Sequence, residues 1–267
     1  MVGPGLRRKT PFRRERQPIG RATPALYYEN RDPKLDYFPS IPTKTSGKAW
    51  IAQHRDNGIR QIVTIKELQT TRIRNIRQLT SVTHPNIAEP LSFYQTGERL
   101  FVVHPFVSLE LFDLLPLWPR EIASAMKQFV LGVQYLMNSG VMFSIEVVQI
   151  GLDGVIKIVL DWNLEPEVGQ AVREANRQYL LPYIQNMMAV MTASSQGLPE
   201  SAHSFACSQI LPDIDKHPFI SGAGGPMMLR KAAEFAQQKQ VLAARICQGC
   251  DNLSSSYACV SSAGVDL

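Results

Sequence analysis

The spacing of hydrophobic residues predicts an N-terminal half built from strands around one helix. The expected elements, in chain order, are strands at 48–55 and 59–68, a helix at 71–82, and strands at 87–94 and 99–107. Asn57 and Gly58 supply the positive φ angles of a tight hairpin turn between the first two strands. Pro85 stops the helix, because the residue before a proline is pushed out of the helical region. The predicted order is therefore strand, strand, helix, strand, strand.

After Phe106 the pattern becomes helical and is interrupted by one hairpin. The expected elements are a helical stretch at 109–115, a helix that begins at Pro119 and ends at Asn138-Ser139-Gly140, strands at 146–150 and 155–160, and helices at 173–191 and 227–246. One apolar stripe on the long helix predicts that it packs on a core, and the stripe consists of Ile122, Met126, Phe129, Val133 and Leu136. Asp153 and Gly154 are a strong turn signal between the two strands. The final dozen residues are expected to form a loose tail.

The composition is that of an ordinary soluble globular protein. The 267 residues are 45% hydrophobic and 19% charged, which excludes collagen, coiled coil and wholesale disorder. No window approaches the roughly 18 apolar residues of a membrane helix. We therefore expect one or two domains, no membrane association and no secretory signal.

The cysteines do not indicate a metal or redox site. All four lie in the last quarter of the chain, and Cys247 and Cys250 alone have C-x-x-C spacing. A structural zinc site needs four nitrogen or sulfur ligands, and no second pair is present. Since this pair follows a helical stretch, it also lacks the strand-to-helix turn of a thioredoxin-like motif. Reduced, unpaired thiols are expected.

The positive charge is concentrated at the N-terminus. Residues 1–21 contain seven basic residues and one glutamate, a net charge of +6, which leaves −1 for the rest of a chain whose total is +5. With Pro4, Pro11 and Pro18 this segment is expected to be a disordered basic arm. A solvated tail is the favoured interpretation. A nuclear-localisation patch, a contact to acidic partners and an atypical presequence are the alternatives.

Six short motifs occur in the order in which eukaryotic protein kinase domains carry theirs. They are Val63-Thr64-Ile65-Lys66, the helix before His84-Pro85-Asn86-Ile87, Leu100-Phe101-Val102-Val103, Tyr135-Leu136 with Gly140-Val141, Asp153-Gly154-Val155-Ile156-Lys157-Ile158, and Lys216-His217-Pro218-Phe219-Ile220. The first resembles the family's lysine-bearing strand, and the fifth resembles the hairpin before D-F-G. The chain thus resembles a eukaryotic protein kinase domain over about residues 40–220.

The resemblance implies an α+β, two-lobed protein-kinase-like fold. A small antiparallel β-sheet lobe with one helix would be followed by a shortened, mainly helical lobe. The expected organisation is a disordered basic arm at 1–26, an N-lobe at 27–107, a C-lobe at 108–220, and a linker, helix and tail at 221–267.

The resemblance also implies a nucleotide site at Lys66 and Gly47. Lys66 stands where the family's lysine pairs with the α and β phosphates of ATP, and Gly47 matches the third glycine of the phosphate-covering loop. Pro42 and Lys44 replace the first two glycines, and the position of the C-helix glutamate that orients the lysine falls on Asn75. The alternative for Lys66 is a strand lysine whose side chain extends into solvent.

Asp161 is implied as the metal ligand, in the place of the D-F-G aspartate. Strict counting from the preceding hairpin puts Leu160 at this position, so Asp161 takes it only if a one-residue bulge intervenes. The alternative is an ordinary turn aspartate. No catalytic residue is assigned, because Ile145 holds the base position. Its neighbour Glu146 is expected to turn to the other face of an extended segment.

The missing glycines, C-helix glutamate and catalytic base favour a pseudokinase that acts as a protein-binding or allosteric module. Its expected partner is another protein, with weak electrostatic contacts from the basic arm. The alternative is a divergent protein serine/threonine kinase that keeps ATP and Mg²⁺ through Lys66 and Asp161. The loss of several electrostatic parts at once argues against it. A third alternative is a decayed gene product with an unstable helical lobe. The expected location is intracellular, cytoplasmic or nuclear.

Overall fold

The computed structural model describes residues 25–43, 48–56, 59, 61–68, 82–139, 143–161, 170–195, 197–207 and 214–260. Over these ranges the fold is α+β, as expected, and is organised around two β-sheets. The strands are β1 (Leu26–Glu29), β2 (Tyr37–Pro42), β3 (Ala49–His54), β4 (Ile62–Leu68), β5 (Ser92–Thr96), β6 (Arg99–Pro105), β7 (Leu109–Glu110), β8 (Ser144–Ile150) and β9 (Ile156–Asp161). The α-helices are α1 (Pro119–Ser139), α2 (Gln170–Ala193), α3 (Glu200–Ala206), α4 (Pro218–Ser221) and α5 (Met227–Val260).

The larger sheet is mixed and has six strands in the order β1-β5-β6-β4-β3-β2. Its neighbouring strands are antiparallel except β1 and β5, which run parallel. The prediction of an antiparallel sheet is confirmed for the predicted strands β3, β4, β5 and β6, and it is wrong for β1, which adds a parallel pair. Hydrophobic spacing predicts neither β1 nor β2, because both are edge strands with mostly exposed side chains. The smaller sheet is antiparallel, in the order β7-β8-β9.

The larger sheet is strongly curled. The rings of Tyr37 in β2 and Tyr94 in β5 lie 6.3 Å apart, although β6, β4 and β3 separate these strands. In a flat sheet four strand spacings amount to roughly 19 Å. The two sides of the sheet must therefore bend toward each other, and they enclose a small apolar cluster that includes Val63, Ile65 and Phe101.

The main core lies between the other face of this sheet, the smaller sheet and the helices. The predicted apolar stripe of α1 is confirmed, since no member is more than 2% exposed, and the members are Ile122, Met126, Phe129, Val133 and Leu136. Phe93, Leu100 and Val102 of the larger sheet belong to the same core. Each large apolar side chain buried in this way contributes roughly 1.5–3 kcal/mol to stability.

Three predicted elements need correction. The strand at 87–94 begins only at Ser92, because Pro90 lacks an amide hydrogen for the ladder and Ile87 instead forms a parallel bridge with Ile158 of β9. The helical stretch at 109–115 is strand β7 followed by a 3₁₀ turn at Leu111–Leu114.

At the C-terminus, α5 continues to Val260, so the predicted helix end at residue 246 is wrong, as is the predicted loose tail over 256–260. The C-x-x-C pair therefore lies within a helix rather than after one. The rest of the predicted tail, 261–267, lies outside the described residues. The Asp153-Gly154 hairpin is confirmed, with Gly154 at a φ of +80°. The helix at 71–82, except Val82, lies outside the described residues, as do Asn57, Gly58 and residues 1–24 of the basic arm.

Candidate functional site

Lys66 lies in β4 on the face of the larger sheet that looks toward the smaller sheet. Val63 and Ile65 alternate with it and face the curled interior, whereas Leu68 shares its side of the strand and joins the main core. Lys66 is only 7% exposed. The alternative of a lysine that extends into solvent is therefore wrong.

Two carboxylates from the smaller sheet meet Lys66. Its Nζ lies 2.8 Å from Oε2 of Glu146 in β8 and 3.6 Å from Oδ1 of Asp161, the last residue of β9. The first distance is that of a charge-assisted hydrogen bond, and the second is that of a looser ion pair. We call Lys66, Glu146 and Asp161 the lysine–carboxylate cluster. The resemblance assigns roles to Lys66 and Asp161, and it assigns none to Glu146.

A β-bulge in β8 directs Glu146 into this cluster. Ile145 and Val147 pair with consecutive residues of β9, so Glu146 is the extra residue between them. A bulge of this kind interrupts the alternation of faces and re-aims the side chain at the irregularity. The expectation that Glu146 turns away from the site is therefore wrong, because it assumed a regular extended segment.

Asp161 belongs to a strand and not to a turn. It pairs with Ser144 at the end of the β8–β9 ladder, and the irregularity of this ladder lies on β8 rather than on β9. The interpretation of Asp161 as an ordinary turn aspartate is wrong, whereas its role as a metal ligand stays a prediction. Gly47 and Asn75 lie outside the described residues.

A buried histidine lies on the same face of the larger sheet. His104 in β6 pairs with Thr64, two residues before Lys66 in β4. The pKa of His104 is lowered to about 4, chiefly by burial and to a smaller extent by the nearby charge of Lys66, while a hydrogen bond with the backbone of Glu89 opposes the shift. His104 is therefore neutral at pH 7 and adds no positive charge beside Lys66.

A buried amide network joins the smaller sheet to α1. Gln128 Oε1 accepts hydrogen bonds from the Ile156 amide at 3.0 Å and from Asn86 Nδ2 at 3.2 Å, and its Nε2 donates to the Gly154 carbonyl at 3.1 Å. Sequence reasoning missed this residue. Its only signal is a polar side chain beside Phe129 in the buried part of an amphipathic helix.

The backbone groups of the segment that joins the two sheets are paired within the larger sheet. Pro105 pairs with Val63, and the amide of Phe106 donates to the Ile62 carbonyl at 3.1 Å. Beside it a cleft of about 840 Å³ is lined by residues of both sheets, including Tyr94 and Lys157. The lysine–carboxylate cluster does not contribute to the walls of this cleft.

The lysine–carboxylate cluster is a poor fit for a magnesium nucleotide. A phosphate would have to displace Glu146 from Lys66 and would then lie beside two carboxylates of like charge. Carboxylate oxygens suit Mg²⁺, but both of these are directed at the ammonium. In the part of the chain that the structure describes, no group of three His, Cys, Asp or Glu side chains is placed to hold a metal ion.

No known protein family matches this chain, and none of the curated proteins compared with it is significantly similar. Among the helices of the described ranges, none has the length and apolarity needed to cross a membrane.

Proposed function

We propose that this chain is a protein-kinase-like module without phosphotransfer activity that works by binding another protein. The observation that carries the proposal is the 2.8 Å contact between Lys66 and Glu146. In the family that the chain resembles, the corresponding lysine holds the phosphates of ATP. Here its charge is neutralised by a carboxylate from the segment that stands in place of the catalytic loop.

The energetics of the cluster oppose nucleotide binding. The side chains of Lys66 and Glu146 are 9% and 14% exposed, so water does little to screen their charges. Separating a buried ion pair leaves an uncompensated charge, at a cost of roughly 3–5 kcal/mol. A nucleotide would have to offset this cost and also overcome repulsion by Asp161.

The same contact supports a binding or allosteric role. It links β4 of the larger sheet to β8 of the smaller sheet, so a partner that moves one sheet relative to the other changes the geometry of this charged pair. Breaking or making this pair is the kind of local change that biases a two-state element.

The experiment is a thermal unfolding scan of the full chain with ATP, with and without Mg²⁺. We expect no change of the midpoint for the wild type. A ligand present at 100 times its dissociation constant stabilises the folded state by about 2.7 kcal/mol, so even weak selective binding would be visible. A rise that requires both Mg²⁺ and Lys66, and is lost in Lys66→Met, would instead support the divergent kinase. The absence of any cooperative transition would support the decayed gene product.

Glu146→Gln is the matched variant, because it releases Lys66 without changing the shape of the site. If Glu146 closes the site, this variant gains a response to ATP. The double variant Lys66→Met/Glu146→Gln should lack that response.

A further inference from the structure

Helix α5 has two apolar faces, and the described part of the chain covers one of them and leaves the other exposed. Leu229, Ala233 and Ala236 are buried, and this part of α5 contacts α1 and the 3₁₀ turn at Leu111–Leu114. The second face is a line of exposed side chains, which we call the α5 seam, and it consists of Met228, Phe235, Leu242 and Ile246. At 3.6 residues per turn these four lie within about 20° of one line, roughly 120° away from the buried face.

The seam follows a helix that packs little against the body in its second half, where Gln240 Nε2 donates a hydrogen bond to Asp113 Oδ2 at 3.1 Å. Phe235, Leu242 and Ile246 are 68%, 60% and 58% exposed. Every side chain from Gln238 to Ile246 is exposed, on all sides of the helix. Because isolated helical segments are marginal in water, a projecting helix with an apolar line gains stability when another element covers that line.

The width of the seam indicates what covers it. Its members are spaced seven, seven and four residues apart, so one apolar residue recurs in each heptad and the stripe is narrow. Polar residues stand three positions after the first three members, at Lys231, Gln238 and Arg245. A helix that lies on a membrane presents a much wider apolar face. On α5, Lys231 and Lys239 lie within about 40° of the seam, one on each side, and confine it to a single line.

The charges beside the seam are positive. Lys231, Lys239 and Arg245 flank it, and Glu234 forms an ion pair at 2.8 Å with Arg230, farther from the seam. The side chains from Met227 to Ile246 carry a net charge of +3. Pairing with a second copy of α5 would bring these cations together, whereas an acidic helix would complement them.

An apolar surface continues from the start of the seam onto the body. Trp118 is 75% exposed and lines a cleft of about 410 Å³ together with Met228. A helix that lies along the seam would therefore reach a ready apolar anchor point at this end. Large aromatic side chains in such positions dominate the energetics of many interfaces.

We infer that the α5 seam binds an amphipathic α-helix of another protein. This helix presents apolar residues at heptad spacing to Phe235, Leu242 and Ile246, and Asp or Glu to the flanking cations. The inference names a partner class for the protein-binding function proposed above and rests on it. The nucleotide test depends on Lys66 and the test below on α5, so each can fail without the other.

The probe is a synthetic peptide of about four heptads with Leu at a and d and Glu at e and g, compared with the same peptide carrying Lys at e and g. Fluorescence anisotropy measures binding to the full chain. We expect the acidic peptide to bind at least ~10-fold more tightly than the basic one. This ratio corresponds to a difference of about 1.4 kcal/mol in binding free energy. Phe235→Gln/Leu242→Gln should weaken binding of the acidic peptide by a similar factor.

Two further variants make the test specific. Val241→Gln changes an exposed apolar residue on another face of the same helix and should leave binding unchanged. Lys231→Glu/Lys239→Glu/Arg245→Glu should reverse the preference in favour of the basic peptide. All these side chains are exposed, so the unfolding midpoints should stay at the wild-type value.

Four results would overturn the inference. They are binding of neither peptide, equal binding of both, adsorption to phosphatidylserine-containing vesicles that Phe235→Gln/Leu242→Gln abolishes, and a dimer in sedimentation that the same variant dissociates. The third would assign the seam to a membrane surface, and the fourth would assign it to a second copy of the chain.

Discussion

The ammonium of Lys66 in β4 lies 2.8 Å from the carboxylate of Glu146 in the bulge of β8. The contact crosses from the larger sheet to the smaller one, and both side chains are largely withdrawn from water. Each charge therefore relies on the other in place of solvent. Because the bulge sets the direction of Glu146, the link depends on strand geometry as much as on the two residue types.

Replacing Lys66 should destabilise the protein strongly. Lys66→Met leaves Glu146 and Asp161 near each other without their cation, and we expect the free energy of unfolding to fall by about 3 kcal/mol. Urea denaturation measures the change. The control is Lys48→Met, whose Nζ lies 3.7 Å from Glu67 and whose side chain is 74% exposed, and it should have almost no effect. Equal effects of the two variants would contradict the assigned role of the cluster.

Stability should fall in weak acid because of His104. Its folded-state pKa of about 4 lies below the ordinary value of 6.5, so between these pH values the unfolded state binds a proton that the folded state does not. The free energy of unfolding therefore decreases as pH falls from 6.5 toward 4, by up to about 3 kcal/mol, and His104 contributes no pH dependence above this window. Denaturation experiments at several pH values across the window measure this dependence. The free energy of unfolding should change less with pH for His104→Gln than for the wild type. His203→Gln, an exposed control in α3, should follow the wild type. Parallel curves for His104→Gln and the wild type would contradict the prediction.

Alanine substitutions at Gly97 and Gly154 should destabilise the protein by different amounts, because both have positive φ but only one is in a crowded position. Gly154 and Gly97 both have positive φ, at +80° and +59°. A Cβ on Gly154 would lie 2.0 Å from the carbonyl oxygen of Pro226, whereas nothing lies within 4 Å of one on Gly97. Gly97→Ala should cost about 1 kcal/mol and Gly154→Ala about 2 kcal/mol more, because a backbone carbonyl must move. Chemical denaturation measures the free energy of unfolding of both variants. Similar decreases would show that the Pro226 carbonyl moves at little cost, and would contradict the prediction.

Gln128 should be intolerant of an apolar replacement. Gln128→Leu removes the partner of the Ile156 amide, the Gly154 carbonyl and the Asn86 side chain in a buried region. Leaving such groups unsatisfied costs roughly 1–3 kcal/mol each before relaxation, so we expect a loss of about 2–4 kcal/mol. The matched control is Gln134→Leu in the same helix α1, which removes one hydrogen bond to Asp215. Its free energy of unfolding should fall by about 1 kcal/mol or less. Thermal unfolding of both variants tests this ranking.

Much of the fold is predictable where an element buries one face. The apolar stripe of α1, the ladder of β3 with β4, and the hairpin at Asp153 and Gly154 all repeat a spacing that depends on local residues alone. The edge strands β1 and β2 are not predictable in this way. Their side chains are mostly exposed, and their backbones are fixed by neighbouring strands that lie elsewhere in the chain.

The candidate site is likewise only partly predictable from the sequence. Lys66 and Asp161 are identifiable from short motifs, since each belongs to a segment whose local pattern resembles a known one. Glu146 is not identifiable, because one bulge reverses the face that regular alternation assigns to it. The pairing of Lys66 with Glu146 therefore follows from the tertiary structure.

Local spacing thus specifies which segments become helices or strands and which of their faces are apolar, because both depend on side chains a few residues apart. Only the tertiary structure decides that the larger sheet curls until Tyr37 meets Tyr94, that Glu146 neutralises Lys66, and that the described residues leave the α5 seam uncovered. These are contacts, or missing contacts, between segments far apart in the chain. Their energies arise from burial and charge pairing that no single segment contains.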